Sequence, residues 1–206
     1  MAYMPSNQTN HLEAIMNGPA TPYLFGFIGW YVMWLIQLQL TVFDYALGVS
    51  LIFLPAGIRT LAVLIFGFRG AIGVFLGSVI STSGYMGHVE SLNFFSICII
   101  AAVSAFSSYL MMALVCWWRR IGSNLDELVF RDILSIVFTQ GLLSASLHQI
   151  IYAFHPIASE YDHPSQAETL RLWAAMATGD VVGSMIMMLS AVALANYFRR
   201  AYGATS

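Results

Sequence analysis

Residues 51–80 read LIFLPAGIRTLAVLIFGFRGAIGVFLGSVI, an apolar stretch that also contains one proline, five glycines and the permanent cation Arg59. About 20 apolar residues are enough to cross the roughly 30 Å of hydrocarbon in a bilayer. The glycine-rich FGFRGAIG in the middle leaves room only for a tight turn. The stretch therefore predicts two membrane helices joined as a hairpin, with an arginine inside the first of them.

The rest of the chain is equally apolar. Of its 206 residues, 59% are hydrophobic and 9% are charged, and the mean hydropathy is +0.75. These values indicate an integral membrane protein. All eight basic residues are arginines, so there is no lysine to form a Schiff base with retinal or pyridoxal phosphate. The net charge of -2 and the lack of a basic stripe or a phosphate-binding loop predict no nucleic-acid partner.

The fold class predicted is an all-α, polytopic transmembrane bundle of about six spans, partnered by the lipid bilayer. Residues 1–22 form a polar lead, residues 23–198 the membrane domain and residues 199–206 a short tail. The spans are predicted near 23–43, 47–67, 70–86, 92–118, 133–154 and 171–198.

The arginines between the spans predict the orientation, because basic residues near span ends are retained in the cytoplasm. Both termini are then cytoplasmic. No soluble output domain is expected after the last span, so a protein partner on the cytoplasmic side is predicted. In this six-span arrangement the predicted cytoplasmic side holds Arg69, Arg119, Arg120, Arg131, Arg199 and Arg200, and the outer side holds only Arg171.

Charged residues inside predicted spans are the main functional signal. Near the bilayer centre a charge costs about 2.5 to 3.5 kcal/mol on insertion scales, and it usually faces the bundle interior or a cavity. Arg59 and Asp180 lie at similar predicted depths, so they can pair. Two compatible interpretations remain: a structural clamp, or a site for an anionic or polar ligand. The predicted ligand-binding residues are Arg59, Asp180, His148, Gln149 and Gln140.

Histidines suggest two further kinds of site. His148 has no second histidine at its depth, so bis-histidine haem ligation has no partner. The predicted outer loops contain His88, His155 and His163 near three carboxylates, a set able to bind zinc or copper. Their spacings match no metal motif, so no metal is assigned, and the cofactor stays unknown.

Helix breakers and small residues predict where helices bend or approach closely. Pro55 and Gly57 are expected to interrupt the second span, and Gly67 lies in the turn after it. Gly73 and Gly77, like Gly179 and Gly183, have the spacing of close helix packing. No nucleophile elbow, pair of catalytic carboxylates or zincin motif is present, so the chain is not predicted to be an enzyme.

VSLIFLPAGIRTLAVLIFGFRGAIGVFLGSVI and LWAAMATGDVVGSMIMMLSAVAL resemble two segments of the MASE-type membrane-associated sensor domains of bacteria. The resemblance implies a sensory or ligand-recognition module of the bacterial inner membrane. Members of that family commonly have about eight or more spans and a fused output domain, and this chain departs from them in both respects. The matching positions are Pro55, Gly57, Gly67, Gly73, Gly77, Gly179, Asp180 and Gly183.

Three functions therefore remain open. The first is a sensor subunit in signal transduction that acts through a partner protein. The second is a small-solute transporter, or a substrate-binding membrane subunit similar to the S-components of energy-coupling-factor importers. The third is a non-catalytic subunit of a larger membrane complex, in which the aromatic and methionine residues supply contact surface.

Overall fold

The computed structural model describes residues 18–46, 48–86, 93–122, 125, 127–154 and 165–202. The all-helical prediction is confirmed for these residues, apart from a short segment between the first two helices. That segment contains a 3-10 turn (Thr41–Phe43) and an antiparallel hairpin of β1 (Asp44–Ala46) and β2 (Val49–Ser50). The helices are α1 (Thr21–Gln37), α2 (Leu54–Phe66), α3 (Phe68–Met86), α4 (Phe94–Arg119), α5 (Phe130–Phe154) and α6 (Gln166–Tyr202).

Four helical stretches in the described part of the chain are long and apolar enough to cross a membrane. They are Leu54–Tyr85, Phe94–Arg119, Phe130–Phe154 and Gln166–Ala201. The first of them includes a turn, and its α2 portion has 13 residues, or about 20 Å of helix. Helix α1 has 17 residues. Six separate spans therefore stay a prediction.

The predicted second span, 47–67, needs correction at its start, because α2 begins only at Leu54. Pro55 lies in the first turn, where a missing N–H is tolerated, so it opens this helix and does not interrupt one. The Gln37 side chain accepts a hydrogen bond from the Leu54 N–H at 3.1 Å and so satisfies a free donor of that first turn.

Helices α2 and α3 form the predicted hairpin. Gly67 separates them with φ of 58°, a left-handed conformation that glycine adopts readily. Beyond the turn, Gly70 lies against the Ala62 carbonyl group, eight residues earlier in the chain. A side chain at Gly70 would overlap that carbonyl, so the close approach of the two helices depends on this glycine.

Successive helices run in alternating directions. Phe25 of α1 meets Phe66 at the end of α2, and Phe68 at the start of α3 meets Tyr109 in the last part of α4. Arg119 at the end of α4 bonds Asp132 at the start of α5 at 3.1 Å. The chain reversals near residues 67 and 120 therefore lie at one end of the bundle, together with its last residues, and most of the arginines gather there.

Helix α6 is much longer than its neighbours. Its 37 residues correspond to about 55 Å, more than the hydrocarbon thickness of a bilayer. Its first half packs on α5, whereas nearly every residue from 191 to 201 is exposed. The end of α6 that carries Arg199 and Arg200 thus extends past the packed bundle.

Candidate functional site

Two glycines of α6 position the segment that precedes α2. Gly179 lies against the Ser50 carbonyl and Gly183 against the Phe53 carbonyl, so close that a Cβ at either position would overlap that oxygen. The Phe53 N–H also donates to the Gly179 carbonyl at 3.0 Å. Strand β2 and the start of α2 are thereby fixed on the surface of α6, which places Arg59 beside Asp180.

Arg59 connects four helices through its guanidinium group. Nη2 of this α2 residue lies 2.9 Å from Asp180 Oδ2 of α6. Nη1 donates to the Ser104 carbonyl of α4 at 2.9 Å and to Ser144 Oγ of α5 at 3.4 Å. Arg59 is 1% exposed and Asp180 is 3% exposed. The two predicted charges are therefore in direct contact inside the bundle.

One nitrogen of this guanidinium has no partner among the described residues. Arg59 Nε is buried and has no hydrogen-bond partner among the described residues. Burial of an ion pair is unfavourable unless the remaining donors and acceptors are also satisfied. Asp180 contacts only Nη2 of the guanidinium, so the bidentate ion pair that a carboxylate can form with an arginine is not made. The site holds a buried donor that can bind an additional acceptor.

His148 lies next to this ion pair and forms hydrogen bonds through both of its ring nitrogens. Its Nδ1 lies 2.8 Å from the Ser144 carbonyl, which can only accept, so Nδ1 carries a proton. Nε2 is 3.2 Å from Ser104 Oγ, which can donate to it. We assign this tautomer from the hydrogen-bond partners. The imidazole thus holds α4 and α5 together beside Arg59.

A cavity of about 260 Å³ extends from these polar residues to one end of the bundle. Arg59, Asp180 and His148 all line it. Asp44 of β1 lies at its mouth, where partial burial raises the pKa of this carboxyl group above its usual value, against an opposing hydrogen bond from Ser50. The aromatic residues of the wall are Trp30, Trp34, Phe53, Tyr85 and Tyr152.

The wall contains a second unused polar atom. Ser78 of α3 is 1% exposed, and its hydroxyl group has no hydrogen-bond partner among the residues that the structure describes. Buried polar groups are nearly always paired with protein or ordered water. Ser78 and Arg59 both line the cavity. The cavity therefore combines apolar walls with a few free polar groups, as small-molecule sites do.

Gln140 belongs to a separate polar layer that does not line the cavity. Its Nε2 donates to Thr60 Oγ1 at 2.5 Å and to Ser184 Oγ at 3.1 Å, and its Oε1 accepts from the Ser108 hydroxyl. Thr60 in turn donates to the Ala56 carbonyl at 2.9 Å. Every polar atom of the Gln140 side chain is used, so this layer joins α2, α4, α5 and α6 without offering a free group.

Replacement of Gln140 by leucine is expected to destabilise the protein by about 1–3 kcal/mol, because the Ser108 hydroxyl loses its acceptor in a buried place. Reversible unfolding in mixed micelles measures this loss. Ser135→Ala is the matched control, since that exposed hydroxyl bonds only a carbonyl of its own helix and its removal should change stability by less than about 0.5 kcal/mol. Equal effects of the two variants would contradict the structural role of Gln140.

The remaining predicted residues lie elsewhere. Gln149 does not line the cavity, and its Nε2 is buried without a partner in the described part of the chain. His88, His155 and His163 lie outside the described residues. Gly57, which was expected to interrupt the second span, lies within α2 and packs against Met187 of α6. The predicted packing glycines Gly73 and Gly77 lie against the Tyr23 and Phe27 carbonyls of α1.

The sequence prediction missed the small hydroxyl residues of the site. A four-residue spacing would have found two of them, because residues i and i+4 share a helix face. Ser144 lies four residues from both Gln140 and His148 on α5, and Ser184 lies four residues after Asp180 on α6. The aromatic wall gave no such signal, since aromatic residues occur throughout the chain.

No protein-family model, no curated protein and no solved structure matches the chain.

Proposed function

We propose that the protein is a membrane-embedded recognition module that binds a small polar or anionic organic solute in the aromatic-walled cavity. The observation that supports this most is the unpaired Nε of Arg59, which is buried beside Asp180 in a residue that lines the cavity. A pure clamp would satisfy this donor with a protein group or an ordered water. A solute with a carboxylate or another strong acceptor group would satisfy it.

The proposed orientation places the cavity mouth outside and the arginine-rich end of the bundle in the cytoplasm, by the charge rule for membrane proteins. With the resemblance to MASE-type sensor domains, this leads us to propose a bacterial inner-membrane sensor. It acts through a partner protein on the cytoplasmic side, where the end of α6 extends past the bundle.

A second candidate is a substrate-binding membrane subunit of a small-solute transporter, similar to an S-component. The cavity favours this candidate because it lies among the helices and opens at one end of the bundle. Binding alone is common to both candidates. A sensor retains its solute on one side, whereas a transporter releases it on the other, so solute uptake into proteoliposomes separates them.

Binding is tested with two probes that share one carbon skeleton, 3-phenylpropionate and 3-phenylpropan-1-ol, on protein in lipid nanodiscs. We expect the carboxylate to raise the thermal unfolding temperature more than the alcohol, because only the carboxylate forms a charged contact with Arg59. A probe at 100 times its Kd stabilises the folded state by about 2.7 kcal/mol. The carboxylate's advantage should disappear in Arg59→Gln and persist in Arg69→Gln, which removes an exposed arginine.

Arg59→Gln leaves Asp180 unpaired and is itself destabilising. The double variant Arg59→Gln/Asp180→Asn removes both charges and therefore provides a better-folded protein without the guanidinium. If the carboxylate and the alcohol stabilise the natural protein equally, or if the double variant retains the carboxylate's advantage, the proposed role of Arg59 in solute binding is wrong.

A further inference from the structure

The charges that line the cavity restrict the class of solute. We propose that the solute is a zwitterion with an apolar or aromatic side chain, whose carboxylate contacts Arg59 and whose ammonium group contacts Asp180. This inference rests on the proposed function, since it names the solute of the same cavity. It follows from three features: the free donor of Arg59, the charge balance of the cavity lining and the composition of the wall.

The carboxylate position follows from the hydrogen bonds of Arg59. Its Nη1 is occupied by Ser104 and Ser144, and its Nη2 by one oxygen of Asp180. Only Nε has no partner within the described residues. A guanidinium binds a planar carboxylate by donating hydrogen bonds from two neighbouring N–H groups. A solute carboxylate that bridges Nε and the second N–H of Nη2 lies beside the Asp180 carboxylate, which can then also pair with a cation of the solute.

The ammonium group follows from the charge balance. The deep charges, Arg59 and Asp180, sum to zero, and His148 hydrogen-bonds to the uncharged Ser104 and Ser144. A simple anion pairs with Arg59 but leaves the buried site with a net negative charge, so it should bind less tightly than a solute that also carries a cation. Asp44 adds a further negative charge at the mouth. A solute with both charges keeps the buried site neutral and pairs with each of the two deep charges.

The wall sets the character of the rest of the solute. Trp34 makes edge contacts with Phe53 and Tyr85, with ring centroids 6.2 and 5.4 Å apart. Trp30 also meets Phe53 edge-on at 6.0 Å. Rings arranged in this way present apolar surface to a guest, and they favour another ring in an offset or edge-on position. An aromatic or bulky apolar side chain matches this wall better than a polar one does.

Three probes with the same phenylethyl framework test the proposal: L-phenylalanine, 3-phenylpropionate and 2-phenylethylamine. Each of the last two lacks one of the two charges of phenylalanine. We expect phenylalanine to bind the natural protein in nanodiscs at least about tenfold more tightly than either of them, since it alone pairs both buried charges. Isothermal titration calorimetry gives the three affinities without any substitution in the protein.

Two variants assign the charges. Asp180→Asn should abolish the preference for phenylalanine over 3-phenylpropionate, because the ammonium group loses its partner. Arg59→Gln should abolish the preference for phenylalanine over 2-phenylethylamine. The matched control Arg69→Gln should leave both preferences unchanged. If a single variant does not fold, the comparison of the three probes on the natural protein still decides the proposal.

Each outcome has a distinct meaning. Equal binding of phenylalanine and 3-phenylpropionate overturns the zwitterion inference and leaves the proposed function intact. Tightest binding of 2-phenylethylamine overturns the inference and also the recognition role of Arg59. If none of the three probes binds, both the inference and the proposed function are wrong for solutes of this shape.

Discussion

Asp180→Asn and Arg59→Gln are each expected to destabilise the protein by about 3–5 kcal/mol, the usual effect of removing one partner of a buried ion pair. In each variant a charge remains in the bundle interior without its counterion. The double variant should recover much of the loss, because it leaves no uncompensated charge. Unfolding of the four proteins in mixed micelles completes a double-mutant cycle, and its coupling energy should be several times that of an exposed pair.

Arg69→Gln is the matched control, because it replaces an arginine by glutamine at a position outside the buried ion pair. Arg69 is exposed, and its replacement should change stability by less than about 0.5 kcal/mol. If the losses in the two single variants simply add in the double variant, Arg59 and Asp180 act independently, and the contact at 2.9 Å does not hold the bundle together.

Gly179→Ala is expected to destabilise the protein by about 1–3 kcal/mol, although alanine is the better helix former. The added Cβ would overlap the Ser50 carbonyl oxygen. That segment has little freedom to retreat, since the Ser50 hydroxyl accepts from Gln37 at 3.2 Å and the Phe53 N–H is bonded to Gly179 itself. Because strand β2 lines the cavity, probe binding should weaken as well.

Gly84→Ala is the matched control, since Gly84 is a helical glycine whose added Cβ would have no neighbour within 4 Å. Alanine there should stabilise the protein by up to about 1 kcal/mol through helix propensity alone. The two substitutions are chemically identical, so opposite signs isolate the contact with Ser50. Stabilisation by both would show that the segment before α2 does not depend on Gly179.

Much of the fold follows from apolar length and from glycine. The helical hairpin was predictable because Gly67 lies between two apolar stretches and glycine allows the chain to turn there. The start of α2 was not, because residues 47–53 are as apolar as a membrane helix. Residues 49–53 are held outside the helix by Gln37 and by contacts with α6, and these partners are distant in sequence.

The centre of the site was predictable for a similar reason. Arg59 and Asp180 are conspicuous because charges are rare within apolar stretches. Burial of an unpaired charge is unfavourable, which suggests that the two pair. The division of polar residues into two layers was not predictable. Gln140 and His148 share a face of α5 but differ in depth by about 12 Å, so each meets different polar side chains from the neighbouring helices. Which side chains lie at each depth depends on contacts between residues that are distant in sequence.

The length of α6 has a mechanical consequence for the Asp180 contact. About 33 Å of helix separates Asp180 from Tyr202, the last helical residue, and its final turns are exposed. A stiff rod that pivots near Asp180 by about 5° moves its far tip by about 3 Å, whereas atoms near the pivot scarcely shift. In the sensor that we propose, such a tilt would carry a change at the Asp180 contact to the partner protein on the cytoplasmic side.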